Sequence, residues 1–392
     1  VFESVSGFTT TGATIFADVE VLPRAILFWR AMTHWMGGMG IVVLTVALLP
    51  LLGVGGFQLV KAETPGPEKD KVAPKITSTA KILWVLYLSL TALQTALLMA
   101  FGMNWFDAVT HAFATMATGG FGTKNASIGA YASPWIDWTC TVFMLLAGLN
   151  FTLYYRLLRG KFEDILNNTE AKAYLGIAAA ASLAVALLLL PSYGSFGDAL
   201  RYASFQVASI LTTTCFATAD FDRWPELARA VLFLLMFVGG CSGSTGGGIK
   251  VIRHVVLFKQ AGNEMRRLLY PRGVFSVRLN GKVGRKDVVY GVAGFVYLYL
   301  FLVFAVTLTV AFSGTDLLSS LSTALVTVGN IGPGFGAVGP TRNYSFFPDY
   351  VKLVCSFAMI AGRLELCQHL SIGCHLQSCA LLSAASRANM SF

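Results

Sequence analysis

The amino-acid sequence predicts an all-α integral membrane protein with four helix–re-entrant loop–helix repeats around a central pore. The composition is the first reason: 55% of the 392 residues are hydrophobic, 12% are charged, and the mean hydropathy is +0.65. Soluble domains carry about 25% charged residues, so this composition excludes an ordinary cytosolic enzyme, a disordered chain and a secreted disulfide scaffold. The other two reasons are a series of long apolar segments and a short motif that recurs between them.

The long apolar segments predict membrane-spanning helices, because an α-helix needs about 20 apolar residues to cross a bilayer. They lie at about 25–52, 80–101, 135–155, 171–190, 228–258, 288–312 and, incompletely, 346–366. Shorter stretches rich in Thr, Ser and Gly lie between them, at 2–14, 106–123, 196–218 and 316–336. In a bilayer, irregular backbone is tolerated only where it is buried in protein or lines an aqueous cavity. We therefore expect four re-entrant loops.

The ends of the four short stretches form an internal repeat. They read Thr10-Thr11-Gly12-Ala13, Thr118-Gly119-Gly120-Phe121, Thr213-Thr214-Cys215-Phe216 and Thr327-Val328-Gly329-Asn330. Each repeat contains two membrane-spanning helices and, between them, one of the short stretches, which is too short to span the bilayer. The first copy lacks its leading helix, and the chain starts at Val1 without the pattern of a signal peptide, so we expect it to begin inside a larger protein.

The repeats predict boundaries along the whole chain. We expect repeat 1 (pore loop and second helix) at 1–60, a linker at 61–79, repeat 2 at 80–158, a linker at 159–170, repeat 3 at 171–258 with a Gly-rich intramembrane loop at 239–248, a basic linker at 259–287, repeat 4 at 288–366 and an atypical tail at 367–392.

The charge distribution predicts the orientation. The segments joining one repeat to the next (about 61–81, 156–172 and 250–287) hold 19 Lys and Arg against 8 Asp and Glu, whereas the loop-bearing side holds 8 basic and 11 acidic residues. By the positive-inside rule the linkers are cytoplasmic and the loops enter from outside. This topology accounts for most of the net charge of +9, and no soluble module suggests nucleic acid. A cytoplasmic partner or anionic lipid would account for the excess in the third linker.

The four loop ends have the chemistry of a monovalent-cation filter. Rings of backbone carbonyls replace the hydration shell of such an ion in potassium channels. Glycine allows the backbone to turn through φ > 0, and each preceding half-helix directs its negative C-terminal end at the ion. The alternative is that the small residues only let helices pack closely, but this does not explain four half-spans ending in the same kind of triplet.

The sequence resembles the Trk/Ktr/HKT family of potassium transporters, specifically its TrkH-type subunits, from residue 1 to about Leu366. The residues that carry the resemblance are Gly7 to Thr14, Phe28-Trp29-Arg30, His34 to Gly40, Ala117 to Thr123, Gly239 to Lys250 and Gly329 to Gly336. The resemblance implies a pore subunit of four repeats, paired as a homodimer, that takes up potassium and binds a cytoplasmic TrkA-type nucleotide-sensing ring. It also implies a location in the bacterial inner membrane as a multi-pass protein.

Carried onto this sequence, the resemblance implies two functional sets of residues. The predicted filter is Thr10, Thr11, Gly12, Thr118, Gly119, Gly120, Thr213, Thr214, Cys215, Thr327, Val328 and Gly329, with K⁺ as the transported ion. The predicted gate is Gly243, Ser244, Thr245, Gly246, Gly247, Gly248 and Arg363. Glycines also disfavour a regular helix over 239–248, although a structural kink without a gating role is the alternative.

The sequence departs from the family pattern at two places. Cys215 stands where the family has glycine, and we expect a strained turn and looser discrimination of potassium from sodium. After Gly362 to Leu366 the apolar run stops, and the tail to Phe392 predicts either a lost reading frame or a segment unrelated to function. A zinc site in this tail is disfavoured because Cys367, His369, Cys374, His375 and Cys379 lack paired C-x-x-C spacing.

Charged groups within predicted spans are functional candidates by default. For Arg363 the family resemblance implies a position below the filter, where its charge impedes ion passage; a simple ion pair with Glu365 is the alternative. Arg30 and His34, four residues apart on one helical face, are interpreted as structural ligands of neighbouring loops.

The sequence thus predicts potassium uptake through a four-loop filter. A sodium-permeable or Na⁺/H⁺-coupled transporter of the same fold remains the alternative. A polytopic membrane enzyme is disfavoured because no cluster of ionisable residues falls at one membrane depth. We predict no enzymatic activity, no covalent cofactor and no transition metal.

Overall fold

A computed structural model of the chain describes residues 1–40, 76–160, 163, 167–280, 282–283 and 286–364. The end of the predicted 25–52 helix, most of the first linker and the tail at 367–392 lie outside the described residues.

Repeat 1 begins with the half-helix α1, Phe2–Phe8, and continues after a loop into α2, Arg24–Trp35. A π-helical turn, Met36–Gly40, follows α2 directly. The backbone of Gly37, in this turn, packs against the C-terminal end of α1, and a Cβ there would lie 2.1 Å from the carbonyl oxygen of Phe8.

Repeat 2 consists of α3 (Ile76–Ala100), the half-helix α4 (Trp105–Met116), α5 (Pro134–Ala147) and α6 (Phe151–Leu158). Asn104 caps α4 by accepting a hydrogen bond from the backbone of Asp107 at 2.9 Å. The sequence predicts one continuous helix over 135–155, but α5 and α6 meet at a bend of 94°. The bend occurs where Asn150 caps α6, its side chain accepting from the backbone N–H of Thr152 at 2.8 Å.

Repeat 3 consists of α7 (Thr169–Tyr193), the half-helix α8 (Phe196–Leu211), α9 (Glu226–Leu235) and α10 (Val251–Leu269). The sequence predicts a helix over 228–258, but the structure divides it. Residues 236–250 form a compact loop between α9 and α10, which is consistent with their six glycines because glycine disfavours a helix interior.

Repeat 4 follows a short hairpin, in which β1 (Arg278–Leu279) pairs antiparallel with β2 (Lys282–Val283). Its helices are α11 (Lys286–Ala311), the half-helix α12 (Leu317–Gly329) and α13 (Asp349–Arg363). Asp316 caps α12 through the backbone of Ser319 at 3.1 Å.

The long helices surround the half-helices. Among the described residues, Lys81–Ala100, Thr169–Tyr193 and Val289–Ala311 are long and apolar enough to cross a membrane, and the bent pair α5–α6 passes the same test when taken as one span. The largest apolar cluster packs around α8 and α12. It buries most of both half-helices, and this packing fixes the loops that follow them.

Candidate ion-conducting site

The same backbone turn follows each of the four half-helices. Its first residue is left-handed: φ is 54° at Thr10, 55° at Thr118, 57° at Thr213 and 54° at Asn330. Its third residue is also left-handed: φ is 75° at Gly12, 81° at Gly120, 74° at Cys215 and 85° at Gly332. Alternating left-handed residues turn successive carbonyls to one side, and they favour glycine wherever a Cβ would be crowded.

The second residue of each turn is held by an equivalent backbone hydrogen bond. The amide N–H donates to the carbonyl five residues earlier: Thr11 to Ser6 (2.9 Å), Gly119 to Ala114 (2.8 Å), Thr214 to Ser209 (2.8 Å) and Ile331 to Val326 (3.0 Å). The four loops therefore share one geometry despite their different sequences.

This geometry corrects the predicted register of the fourth loop. The sequence assigns Thr327, Val328 and Gly329 to the filter, but all three lie in the last turn of α12. The turn equivalent to those of the other three loops is Asn330-Ile331-Gly332, three residues later. Asparagine tolerates the left-handed conformation better than most residues, so Asn330 takes the place that threonine has in the other three turns. A search for the Thr-x-Gly sequence motif therefore does not find this turn.

The four turns form a closed ring in chain order. A Cβ added at Gly12 would lie 2.1 Å from the carbonyl oxygen of Gly119, one at Gly120 would lie 2.3 Å from that of Thr214, and one at Gly332 would lie 2.8 Å from that of Thr11. The equivalent residue of the third repeat is not glycine but Cys215, and its Sγ lies 2.6 Å from the carbonyl oxygen of Ile331. The third residue of each turn thus faces the second residue of the next repeat.

Each repeat contributes one backbone carbonyl to the ring, next to the third residue of the preceding turn. Thr11, Gly119, Thr214 and Ile331 supply these carbonyls, while the half-helices α1, α4, α8 and α12 end immediately before the four turns. Oxygen ligands of this kind suit a dehydrated monovalent cation, and the C-terminal ends of the half-helices add negative potential.

Hydroxyl and amide side chains support the turns from behind. The Oγ1 atoms of Thr9 and Thr11 are 2.8 Å apart, and those of Thr212 and Thr214 are 2.6 Å apart. Asn330 Nδ2 donates to Thr11 Oγ1 at 2.8 Å, which ties the fourth loop to the first. These three side-chain bonds do not engage the carbonyls of Thr11, Gly119, Thr214 or Ile331.

Arg30 and His34 of α2 contact neighbouring loops, as their spacing predicts. The Arg30 guanidinium forms an ion pair with Glu3 at 2.8 Å and lies 4.0 Å from the ring centre of Phe121. His34 stacks on the same Phe121 ring at 4.0 Å. Arg30 therefore connects α1 to the second pore loop, and His34 packs against that loop.

The Gly-rich loop at 236–250 lies directly beneath the turns. The backbone N–H of Gly247 donates to Thr213 Oγ1 at 2.7 Å, and a Cβ at Gly247 would lie 2.6 Å from the carbonyl oxygen of Gly329. Thr245 Oγ1 donates to the carbonyl of Met116 at 3.0 Å. The loop therefore touches the C-terminal ends of three half-helix segments, those of repeats 2, 3 and 4.

Arg363 joins this loop to repeat 1. Its guanidinium donates to the carbonyl of Thr245 at 2.8 Å, and to those of Gly37 and Gly38 at 2.9 and 3.1 Å. Of the other predicted gate residues, Ser244 closes a turn within the loop through the carbonyl of Cys241.

Sequence reasoning missed two charged residues that hold the ends of this loop. The buried carboxylate of Glu170 accepts hydrogen bonds from the backbone N–H groups of Ser242 (2.7 Å) and Ile252 (3.2 Å). Lys250, also buried, donates to the carbonyl of Gly246. Glu170 looks in the sequence like an ordinary acidic residue in the first turn of a helix, so the sequence alone offers nothing to distinguish it.

A cavity of about 130 Å³ opens on the far side of the ring from this loop. Its lining includes Gly12, Gly120, Cys215 and Gly332, together with Arg30 and Tyr344. The third residues of all four turns therefore reach one vestibule, opposite the Gly-rich loop.

Comparison with known proteins agrees with this geometry. The chain matches the TrkH family, described as cation transport proteins, over residues 1–195 and 185–370. It is 44% identical over 375 residues to the Trk system potassium uptake protein TrkH of Halomonas elongata and 41% identical over 370 residues to that of Escherichia coli K12. Each alignment covers 93% of this chain and 76% of the relative.

A solved structure extends the likeness to three dimensions. The crystal structure of the potassium transporter TrkH from Vibrio parahaemolyticus superposes with a TM-score of 0.83 at 39% identity, covering 95% of this chain and 77% of that chain. The fold, the four repeats and the family match therefore agree, and the chain belongs to the TrkH family of cation transport proteins.

Proposed function

We propose that this chain takes up potassium ions through the ring formed by its four loops. The observation that carries the proposal is the cyclic arrangement of one carbonyl from each repeat, at Thr11, Gly119, Thr214 and Ile331. The names of the relatives support it, since those from Halomonas and Escherichia are potassium uptake proteins. No residue acts as an acid, base or nucleophile in this function, and K⁺ is cargo.

We assign the contribution of the fourth loop to the filter to Asn330, Ile331 and Gly332, in place of Thr327 to Gly329. The support is geometric, because Asn330 and Gly332 have the two left-handed conformations seen in the other three turns. For the first three loops we keep the filter residues that the sequence predicts.

We assign the gate to the Gly-rich loop and Arg363. The loop packs against the inner ends of the turns through Gly247 and Thr245, where a closed loop obstructs an ion leaving the filter. Arg363 adds a positive charge at the same level and repels cations.

We further propose a homodimer in the bacterial inner membrane that binds a cytoplasmic TrkA-type ring. Helix α10 and the hairpin after it carry the support, because the segment from Lys250 to Lys286 holds ten basic residues. Large apolar side chains on α10 are also exposed, among them Phe258 (78%) and Leu268 (84%). Basic and apolar groups together suit a protein partner or the headgroups of anionic lipids.

Rubidium uptake tests the function. The gene is expressed in a bacterium that lacks potassium uptake, and uptake is measured with competing potassium or sodium. We expect growth at low potassium and uptake that potassium inhibits better than sodium. Equal inhibition by the two ions would favour the sodium-permeable alternative, and no uptake with the TrkA-type partner supplied would contradict the proposal.

A matched pair of glycine variants tests the role of the ring. Gly120→Ala places a Cβ against the carbonyl of Thr214 at a φ of 81°, whereas Gly176→Ala in α7 meets no atom within 4 Å. We expect Gly120→Ala to reduce uptake at least tenfold and Gly176→Ala to leave it within twofold. Equal uptake by the two variants at equal membrane abundance would contradict the proposed filter.

A further inference from the structure

Cys215 is the third residue of its turn, and among the four third residues of the ring it is the one that carries a side chain. The other three equivalent residues are Gly12, Gly120 and Gly332. A Cβ built on Gly120 would lie 2.4 Å from the Cβ of Cys215, one on Gly332 would lie 2.3 Å from it, and one on Gly12 would lie 3.0 Å from it. The Cβ directions of all four turns therefore converge, and Cys215 fills the point where they meet.

The thiol covers two of the four ring carbonyls. Cys215 Sγ lies 2.6 Å from the carbonyl oxygen of Ile331 and 3.0 Å from that of Thr11. A carbonyl that accepts a hydrogen bond from a thiol has that lone pair engaged, and a sulfur atom at this distance leaves no room for a cation on the same side. Three glycines at this level keep the space open elsewhere in the ring.

We infer that the Cys215 side chain obstructs the ion path at the outer level of the filter and limits the rate of ion passage through this chain. This inference rests on the proposed function, since it takes the ring as the ion path. The expectation of looser ion discrimination stays a prediction of its own. The inference drawn here is a direct steric effect, because the side chain stands inside the ring and not behind it.

The three loop glycines make the effect specific to the third repeat. Cys215 also has a φ of 74°, and a left-handed conformation is strained for any residue with a Cβ. Replacing Cys215 by glycine therefore removes both the strain and the obstruction. Replacing it by alanine retains the strain but removes the sulfur from Ile331 and Thr11, so alanine separates the two effects.

The experiment measures rubidium uptake per protein molecule in membranes for the wild-type chain and for Cys215→Gly, Cys215→Ala and Cys215→Ser. We expect uptake at least tenfold above wild type for glycine, an intermediate increase for alanine, and a value within twofold of wild type for serine, whose hydroxyl reaches the same carbonyls. Cys355→Ala, at a buried cysteine outside the ring, is the matched control and leaves uptake unchanged.

Two uptake results would overturn the inference while leaving potassium uptake established. One is equal uptake by the wild type and the glycine variant. The other is an increase for glycine with none for alanine, since relief of backbone strain alone explains that pattern.

A second measurement does not depend on transport. A small membrane-impermeant methanethiosulfonate is added from outside, and the modified cysteine is located by mass spectrometry. We expect modification of Cys215, which is 8% exposed and lines the vestibule, and none of Cys140 and Cys355, which are 0% exposed and lie outside that lining. If no variant transports rubidium, the proposed function fails, and the labelling result alone shows whether the Cys215 thiol faces the vestibule. An unmodified Cys215 in folded protein would overturn the inference.

Discussion

Neutralising Glu170 should loosen the Gly-rich loop and raise ion leak. The carboxylate of Glu170 is only 6% exposed and accepts from Ser242 on one arm of the loop and from Ile252 just beyond the other. Two backbone bonds close the neck between these points, from Gly239 N–H to the carbonyl of Ile249 (2.9 Å) and from Val251 N–H to that of Gly240 (3.2 Å). The carboxylate therefore adds to these backbone bonds at both ends of the loop.

The size of the effect follows from the charge on the acceptor. Hydrogen bonds to an ionised group are roughly twice as strong as neutral ones and contribute about 1.5–3 kcal/mol each. Glu170→Gln keeps an acceptor oxygen but loses the charge, so we expect a loss of about 1–2 kcal/mol from the closed position of the loop. A difference of this size changes a two-state ratio by about 5- to 30-fold.

The assay is rubidium leak from cells in the absence of the cytoplasmic partner, compared at equal protein abundance. We expect Glu170→Gln to raise leak by about 5- to 30-fold, the factor that follows from this energy difference. Glu163→Gln is the matched control, because Glu163 is exposed on the preceding linker. Leak that is unchanged in Glu170→Gln, with normal thermal stability in detergent, would refute the reasoning that this carboxylate holds the loop closed.

Two further substitutions test other contacts. Arg363→Gln removes the charge and the three carbonyl contacts, so we expect increased rubidium leak. Arg363→Lys keeps the charge. If its leak equals that of Arg363→Gln, the contacts matter more than charge repulsion. Glu3→Gln breaks an ion pair with Arg30 whose side chains are 15% and 6% exposed. We expect a loss of about 3–5 kcal/mol of stability, the usual effect of removing one partner of a buried pair, read as a lower unfolding temperature. Glu20→Gln, in a half-exposed pair, should change stability by less than about 1 kcal/mol, and equal effects of the two changes would contradict this account.

The sequence predicts the helices at 80–101, 171–190 and 288–312 well because their hydropathy depends on composition alone. Hydropathy does not predict the loop that divides 228–258 into α9 and α10. The sequence also predicts that the loop ends carry the site, since Gly12 and Gly120 need a conformation that few other residues adopt. The fourth loop is shifted by three residues because left-handed geometry, and not the letters Thr-x-Gly, defines the turn, and Asn330 satisfies that geometry equally well. Asn330, Ile331 and Gly332 lie within the family motif at Gly329 to Gly336, but nothing in one sequence fixes the register of the turn inside that motif.

The remaining misses have a common physical cause. The run 135–155 is apolar throughout, so hydropathy does not reveal the 94° bend between α5 and α6, which depends on a cap at Asn150 and on contact with the Gly-rich loop. The role of Glu170 likewise depends on residues about 72 and 82 positions away in the chain. Contacts of that separation appear only when the fold is known.

The head-to-tail order of the ring gives the four repeats a direction. The third residue of each turn faces the carbonyl of the repeat that follows it, and that of repeat 4 faces repeat 1. A side chain added at one turn therefore contacts the next repeat first. Second-site mutations that rescue a damaged turn should therefore arise in the next repeat around the ring more often than in the preceding one. For this chain, we expect residues around Ile331 to compensate for Cys215. A substitution in one repeat should therefore be accompanied by sequence changes in the repeat that follows it.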